Sequence, residues 1–279
     1  MKTYLDALQF VLDNGTERLD RTRVGTIGVF GMQQRYDLRQ GFPAVTTKKL
    51  AFKACLSELL WFIEGSNDER RLAEILHGTR DQEKLTIWTD NATAPYWTNR
   101  GLREFEGDLG RIYGVQWRDF GGVDQLLELI NGLRNDPYGR RHIITAWNPA
   151  ELKQMALPPC HCFAQFYVSA DGKLSCQMYQ RSCDLFLGVP FNIASYSLLT
   201  HMIAQVCGLK VGEFVHVLGD AHIYLNHVEQ VKEQLRRKPL PAPTLWINPE
   251  VADICKFTME DFRLDGYQNL GTIKAPMAV

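Results

Sequence analysis

The segment Pro158-Pro159-Cys160-His161-Cys162 contains the strongest candidate for a reactive side chain in this sequence. Two prolines fix the backbone directly before Cys160, so a turn there presents the thiol at the edge of a strand. A cysteine is nucleophilic as a thiolate, which positively charged neighbours stabilise by lowering the thiol pKa. The alternative is a buried, inert thiol, which is the more frequent state of a free cysteine. These residues alone suggest a nucleophile but leave both interpretations open.

Short units that pair an arginine with a second polar residue occur in a polar loop and at the ends of predicted elements: Arg21-Thr22, Arg140-Arg141 and Arg181-Ser182. Guanidinium groups hold phosphate oxygens through paired, charge-assisted hydrogen bonds. For any single unit, a solvated surface arginine in a salt bridge is an equally good interpretation. The sequence has neither a Walker nor a GxGxxG pattern, which excludes the usual nucleoside-triphosphate and dinucleotide sites.

Glu58 lies inside the apolar stretch ACLSELLWFI, where an ionised carboxylate costs free energy unless it is paired. Burial raises the pKa of a carboxyl group, and a raised pKa is typical of a general acid or base. The alternative is a glutamate on the polar face of an amphipathic helix. Leucine and phenylalanine residues surround Glu58 on most sides, so the sequence favours the functional interpretation.

Three further polar residues have both a ligand-binding and a structural interpretation. Asn192 opens an apolar run, where its carboxamide either caps a helix or contacts the edge of a pyrimidine. His222 and Tyr224 alternate along a strand-like run beside Asp220, so both side chains point to one face. Two polar aromatic groups on one face fit a contact with a sugar hydroxyl, whereas a lone histidine is more often structural.

Charge, hydropathy and cysteine usage exclude several classes of protein. The net charge of −1 argues against broad binding of nucleic acid or anionic membranes. No apolar run is long enough for a membrane span, and the first residues read as an amphipathic helix. The seven cysteines are an odd number in a mid-sized chain, which favours a reducing cytoplasm over a disulfide scaffold. The spacing of Cys160, His161 and Cys162 is not that of a zinc site, so no metal is expected.

The elements that must position these side chains follow from hydrophobic periodicity. We predict helices at 1–14, 51–64, 123–134 and 192–207, and strands at 24–37, 142–148, 162–170, 173–182 and 215–218. Helices interleave with mainly antiparallel-looking strands, without strict βαβ alternation, which indicates an α+β fold. No repeat, linker or low-complexity tract marks a boundary, so residues 1–279 are expected to form a single domain.

Taken together, the motifs resemble the thymidylate synthase family from end to end. The similar strings are DRTRVGT from residue 20, FPAVTTKK from 42, ELLWFIEGS from 58, GDLGRIYGVQWRDF from 107, RRHIITAWNP from 140, MALPPCHCFAQFYV from 155, LSCQMYQRSCDLFLGVPFNIASY from 174, LGDAHIYLNH from 218 and IKAPMAV at the C-terminus. This resemblance implies a large mixed, mainly antiparallel sheet with flanking helices, and a homodimer formed sheet to sheet.

The resemblance also implies roles for individual residues. It makes Cys160 the nucleophile and gives further catalytic roles to Glu58, Tyr113, Asn192 and Asp184. The implied substrate-binding residues are Arg21, Gln180, Arg181, Ser182, Cys183, Asp184, Asn192, His222 and Tyr224, with Arg140 and Arg141 donated by the partner subunit. The implied folate contacts are Trp88, Asn91, Asp184 and Ala278.

The implied reaction converts deoxyuridylate (dUMP) to thymidylate (dTMP). Cys160 adds to C6 of the uracil ring, and 5,10-methylenetetrahydrofolate donates first a one-carbon unit and then a hydride, leaving dihydrofolate. The alternative is a deoxyuridylate hydroxymethylase, in which water traps the C5 methylene and tetrahydrofolate is released. Asn192 favours uracil over cytosine in both reactions. A non-catalytic RNA-binding role is a third hypothesis, which the balanced charge disfavours.

Some positions differ from the family's usual pattern. Arg111 adds a charge between Gly110 and Ile112, Thr89 follows Trp88 where the family often has an aspartate, and Ala51 replaces a histidine of some members. Residues 92–106 form a longer insert than the shortest members have. All of these differences fall on or near the implied folate side.

Overall fold

A mixed sheet of six strands organises the computed structural model, which describes residues 1–19 and 24–276. The strands of the described part are Thr16–Arg18 (β1), Thr26–Asp37 (β2), Ile143–Thr145 (β3), His161–Val168 (β4), Lys173–Asp184 (β5), Lys210–Tyr224 (β6), Thr244–Ile247 (β7) and Phe262–Asp265 (β8). The helices are Lys2–Asn14 (α1), Phe52–Glu64 (α2), Glu69–His77 (α3), Thr89–Thr93 (α4), Pro95–Thr98 (α5), Tyr113–Arg118 (α6), Gln125–Asn135 (α7), Gly188–Val206 (α8) and Val228–Arg236 (α9).

The strand order of the large sheet is β1-β2-β6-β5-β4-β3. Strands β5 and β6 run parallel, and the other neighbouring pairs are antiparallel. A parallel pair needs a crossover, which the long helix α8 provides. Strands β7 and β8 form a separate antiparallel pair. The predicted α+β class, with a large mixed sheet and flanking helices, is confirmed.

Most predicted elements are present, and the bounds of three of them differ clearly from the prediction. Helix α8 begins at Gly188, before the predicted start at residue 192, because a proline at position 190 is tolerated in a first helical turn. Strand β6 extends well beyond the predicted 215–218, because pairing on both sides carries it through its glycines and its aspartate. The predicted strand at 142–148 is reduced to Ile143–Thr145.

The two faces of the large sheet differ in their surroundings. On one face, α8 packs against β5 and β6 to form the core, which includes Cys176, Met178 and Phe214. The other face exposes Ile143, Tyr167 and Tyr179, which the strand register places on the same side. In the described part of the chain, no helix is long and apolar enough to cross a bilayer.

Candidate active site

The sheet topology brings several of the predicted residues to one end of the sheet. Strands β5 and β6 are parallel, so their carboxyl ends lie side by side, and Asp184 is the register partner of His222. Strand β4 runs the other way, so its first residue, His161, lies next to Gln180 of β5. Cys160 directly precedes β4 and therefore lies at this same end. We call this end of the sheet the site edge.

The turn that carries Cys160 is fixed by four hydrogen bonds to its backbone. The N–H of Cys160 donates to the hydroxyl of Tyr113 at 2.7 Å, and its carbonyl accepts from the N–H of Arg181 at 2.8 Å. The guanidinium of Arg181 donates to the carbonyl of Pro159 at 2.7 Å and to that of Pro158 at 2.9 Å. A positive charge is thus anchored on the turn that presents the thiol.

Exposure separates Cys160 from the other thiols of the core. Cys160 is partly exposed, whereas burial raises the pKa values of Cys55, Cys176 and Cys183 above the usual range. Those three thiols stay protonated at neutral pH and have no access to a ligand. Cys255 is exposed but lies in a turn between β7 and β8, away from the site edge. Cys160 is therefore not a fully buried thiol, and its role as the nucleophile stays a prediction.

His161 does not supply the positive charge that a thiolate needs. Its ring is buried and stacks on Tyr113 with 4.0 Å between ring centroids. Its Nδ1 hydrogen-bonds with the hydroxyl of Tyr196 at 2.8 Å. Burial, together with the nearby ring of His216, lowers the pKa of His161 to about 3, so the imidazole is neutral. Charge near Cys160 must therefore come from arginine.

Glu58 lies beside the same cluster of rings. The indole N–H of Trp88 donates to its carboxylate at 2.7 Å, and Trp88 contacts Tyr113 edge to face with 5.9 Å between centroids. Burial raises the pKa of Glu58 to about 7, and the bond from Trp88 opposes part of that rise. Burial also raises the pKa of Tyr113 far above its usual range, so its hydroxyl stays protonated. Tyr113 holds a proton directly beside the Cys160 turn, and Glu58 is connected to Tyr113 through Trp88.

Asn192 is not a helix cap. Helix α8 begins at Gly188, so Asn192 lies within the helix, and the capping interpretation is wrong. The backbone N–H groups before α8 are instead satisfied by Asp184, whose Oδ1 accepts from Phe186 and Leu187 at 3.0 Å each. The other oxygen of Asp184 makes no hydrogen bond to the described residues.

A chain of hydrogen bonds fixes the orientation of the Asn192 amide. Gln180 Nε2 donates to the backbone carbonyl of Ser182 and to Asn192 Oδ1, each at 3.0 Å. A carbonyl only accepts, so the nitrogen of Gln180 must point this way and its Oε1 must face His216 Nε2, 2.8 Å away. Burial lowers the pKa of His216 to about 3, so its ring is neutral and carries one N–H group. Because Gln180 Oε1 can only accept, that N–H group is on Nε2 and donates to it. Asn192 therefore uses its oxygen toward Gln180 and keeps its NH₂ group for a ligand.

His222 and Tyr224 lie near the end of β6, as predicted, and their rings meet edge to face at 5.3 Å. His222 Nδ1 donates to the side chain of Asp220 at 3.0 Å. This bond, together with the charge of Arg18, keeps the pKa of Asp220 below its usual value. The Asp220 carboxylate thus fixes the orientation of the His222 ring at the site edge.

The structure does not bring Arg140 and Arg141 to Cys160 within one chain. Both side chains are exposed, and neither forms an ion pair with any described residue. Ile143 pairs with Gln165, so the two arginines lie toward the far end of β4. At about 3.3 Å per residue, five residues of strand place even Ile143 roughly 16 Å from the level of Cys160.

The remaining predicted residues are less closely connected to the thiol. Cys183 is fully buried and its thiol hydrogen-bonds with the carbonyl of Gln180, so only its backbone can reach a ligand. Asn91 donates to the hydroxyl of Tyr96 at 2.7 Å. Arg21 and Ala278 lie outside the described residues. Their roles stay predictions.

Two of the sequence differences have a structural explanation. The charge of Arg111 is neutralised, because its guanidinium donates to Glu151 at 2.6 Å and to Asp119 at 3.2 Å. Thr89 donates to Glu69 at 2.7 Å and so joins a buried ion pair that the sequence analysis did not identify. His216 was also missed as a functional residue. A histidine inside an apolar strand was the available signal, but its partner Gln180 lies 36 residues away.

Potential metal-binding side chains are not grouped together in the described part of the chain. Within residues 1–19 and 24–276, no group of three or more His, Cys, Asp or Glu side chains lies close enough to hold a metal ion. His161, between two cysteines, instead uses its Nδ1 for the hydrogen bond with Tyr196.

Comparison with known families agrees with this arrangement. The chain matches the family described as thymidylate synthase over residues 2–279, essentially its whole length. The match includes the Cys160 turn, the carboxyl ends of β5 and β6, and the helix that carries Glu58. The chain belongs to the thymidylate synthase family.

Proposed function

We propose that this protein catalyses the reductive methylation of dUMP to dTMP, with 5,10-methylenetetrahydrofolate as the donor of both the carbon and the hydride. Membership of the family supports methylation of dUMP in general. The observation that carries the proposal is the Cys160 turn. The partly exposed Cys160 is held there through its backbone N–H by Tyr113, and the guanidinium of Arg181 is anchored on the carbonyl of Pro159.

In the proposed reaction, the Cys160 thiolate forms a bond to C6 of the uracil ring. The electron pair of the C5–C6 double bond moves toward O4, which makes C5 nucleophilic. Substrate phosphate would be held by Arg181 and Ser182, together with Arg21. The guanidinium of Arg181 is already anchored on the turn, so little side-chain entropy is lost when it contacts phosphate.

Asn192 would read the edge of the base. Its NH₂ group, left available by the bond between Asn192 Oδ1 and Gln180, can donate to uracil O4. Asn192 Oδ1, which accepts from Gln180, has a second lone pair that can accept from the N3–H of the uracil ring. His222 and Tyr224 would hold the ribose hydroxyl, and the bond from His222 to Asp220 keeps that ring in place.

Glu58 and Tyr113 would handle proton transfers. A carboxyl with a pKa of about 7 exchanges protons readily in both directions near neutral pH. Glu58 accepts from Trp88, Trp88 contacts Tyr113, and Tyr113 contacts the Cys160 turn directly. This arrangement supports proton transfer to and from the uracil ring bound at Cys160.

The site edge also fits a reduced folate. Asp184 keeps one carboxylate oxygen without a hydrogen bond to the described residues, and a carboxylate oxygen is a suitable acceptor for pterin N–H groups. Trp88, Asn91 and Ala278 complete the set of proposed contacts. When bound, the folate supplies the one-carbon unit and the hydride.

The proposed active form is a homodimer. Ile143, Tyr167 and Tyr179 form an exposed apolar face on the large sheet, a surface suited to a second copy of the chain. Arg140 and Arg141 are exposed cations that form no ion pair with a described residue and lie far from their own Cys160. A dimer that joins the two sheets would allow each pair of arginines to bind phosphate at the partner's site.

Mass analysis of the nucleotide product tests this function and its main alternative. The purified protein is incubated with dUMP and methylenetetrahydrofolate, and the nucleotide and folate products are identified separately. We expect thymidylate and dihydrofolate in equal amounts. A hydroxymethylase would instead give 5-hydroxymethyl-dUMP, which carries one more oxygen than thymidylate, together with tetrahydrofolate.

A further inference from the structure

A buried ion pair lies at the start of helix α3. The guanidinium of Arg70 donates to both carboxylate oxygens of its neighbour Glu69, each at 2.6 Å. The side chains are only 5% and 3% exposed, respectively. Arg70 also donates to the carbonyl of Asp81 at 2.6 Å. A buried charge pair is costly to desolvate and contributes little net stability. Stability alone therefore does not explain why this pair is present.

The Glu69 carboxylate accepts two further hydrogen bonds, both from the segment that carries Trp88. The hydroxyl of Thr86 donates at 2.6 Å and that of Thr89 at 2.7 Å. The two threonines are also joined to the backbone, because Thr86 N–H donates to Thr89 Oγ1 and Trp88 N–H donates to Thr86 Oγ1. The Glu69 carboxylate therefore binds the hydroxyl groups of the two threonines that lie on either side of Trp88 in the sequence.

These contacts connect Glu69 with Glu58. The indole of Trp88 donates to Glu58, and the backbone of Trp88 is fixed by Thr86. Helix α3 is in turn fastened to α2, because Trp61 Nε1 donates to the carbonyl of Asp68 at 3.0 Å. The two glutamates therefore lie on one rigid frame with Trp88 between them.

We propose that Glu69 is a positioning residue, which holds the indole of Trp88 against the Glu58 carboxylate through Thr86 and Thr89. The role of Glu58 in proton transfer rests on the proposed function. The positioning of Trp88 does not, and it can be tested without substrate.

The groups around Glu58 allow its titration to be observed separately. Cys55 lies on the same helix, and Tyr113 and Tyr196 approach from α6 and α8; burial raises the pKa values of all three far above neutral. Burial lowers the pKa of His161 to about 3. Between pH 6 and pH 8, the titrating group next to Trp88 is therefore Glu58, whose pKa burial raises to about 7.

The experiment follows the indole N–H of Trp88 by NMR in the full-length, substrate-free protein labelled with ¹⁵N-tryptophan. The chain has six tryptophans, and loss of one indole signal in Trp88→Phe assigns the resonance. In the wild type, this resonance should shift with pH with a midpoint of about 7. In Thr89→Val, a weaker bond from Trp88 stabilises the carboxylate less, so the midpoint should rise by about 0.5 to 1 pH unit.

Matched variants separate positioning from a general loss of structure. Thr89→Ser keeps the hydroxyl and should titrate like the wild type. Thr93→Val makes the same exchange on the same short helix, at a threonine that donates only to backbone carbonyls, and should also be unchanged. If Thr89→Val does not fold, Thr89→Ala removes the same hydroxyl without adding a methyl group.

The proposal is overturned if removal of the Thr89 hydroxyl leaves the Trp88 resonance and its midpoint equal to those of Thr93→Val. It is equally overturned if the wild-type resonance does not titrate, because Trp88 is then not bonded to Glu58. Failure of the proposed function would show in the product analysis and would leave both of these NMR results unchanged.

Discussion

The indole N–H of Trp88 donates a 2.7 Å hydrogen bond to the Glu58 carboxylate, and this bond opposes the effect of burial on the same group. Burial is the larger of the two effects, so the pKa of Glu58 rises from its ordinary value of 4.5 to about 7. The folded protein therefore binds this proton more tightly than the unfolded chain does. A measurable dependence of stability on pH follows.

We expect Glu58→Gln to stabilise the protein at pH 8.5 relative to the wild type. Because the folded-state pKa is raised, the contribution of Glu58 to stability falls as the pH rises from about 4.5 to about 7. Glutamine keeps an acceptor for Trp88 and has no proton to lose. The stability difference between variant and wild type should grow by about 1–3 kcal/mol between pH 5 and pH 8.5. Chemical denaturation at fixed protein concentration measures it, and equal differences at both pH values would contradict the raised pKa.

The orientation of the Asn192 amide predicts how the site chooses its base. In Asn192→Asp, the group facing uracil O4 becomes an oxygen, which cannot donate, whereas it can accept from the amino group of cytosine. An unmade buried hydrogen bond costs about 1–3 kcal/mol, or roughly ten- to a hundredfold in rate. The ratio of kcat/KM for dUMP to that for dCMP should fall accordingly. An unchanged ratio would mean that the base is read elsewhere.

Arg140 lies toward the far end of β4 from Cys160 of the same chain, so we propose that it serves the partner's site. This arrangement predicts complementation between two inactive variants. Cys160→Ser and Arg140→Ala should each be inactive as homodimers. In a mixed dimer, one site carries both substitutions and the other carries neither. After subunit exchange at equal concentrations, activity should recover to roughly a quarter of the wild-type value by random pairing. If mixing restores nothing although exchange has occurred, Arg140 does not serve the partner's site.

Much of the fold and part of the site could be predicted from local sequence. A carboxylate among leucines predicts the raised pKa of Glu58, which is partly buried. Alternation along β6 correctly places His222 and Tyr224 together. The start of α8 was missed, because a proline usually marks a helix boundary yet is compatible with a first turn. Asp184, which lies before the helix, accepts from the backbone N–H groups of Phe186 and Leu187 that precede it.

Other features depend on contacts between distant residues and leave no local pattern. Glu69 and Arg70 read as ordinary charges at the start of a helix, and the bonds of Glu69 to Thr86 and Thr89 span 17 and 20 residues without any periodicity. The orientation of Asn192 depends on His216, a residue of another strand, through Gln180. Only the folded structure, with its sheet order, brings these groups together.

The central claim is that Cys160 is the nucleophile that carries the nucleotide during turnover. The most direct test is to quench the working enzyme in acid, digest it and map the mass of dUMP on its peptides by tandem mass spectrometry. We predict a nucleotide adduct on Cys160 in the wild type and none in Cys160→Ser, which should have lost turnover, whereas Cys255→Ser should match the wild type. An adduct on any other residue, or near-normal turnover in Cys160→Ser, would contradict the claim.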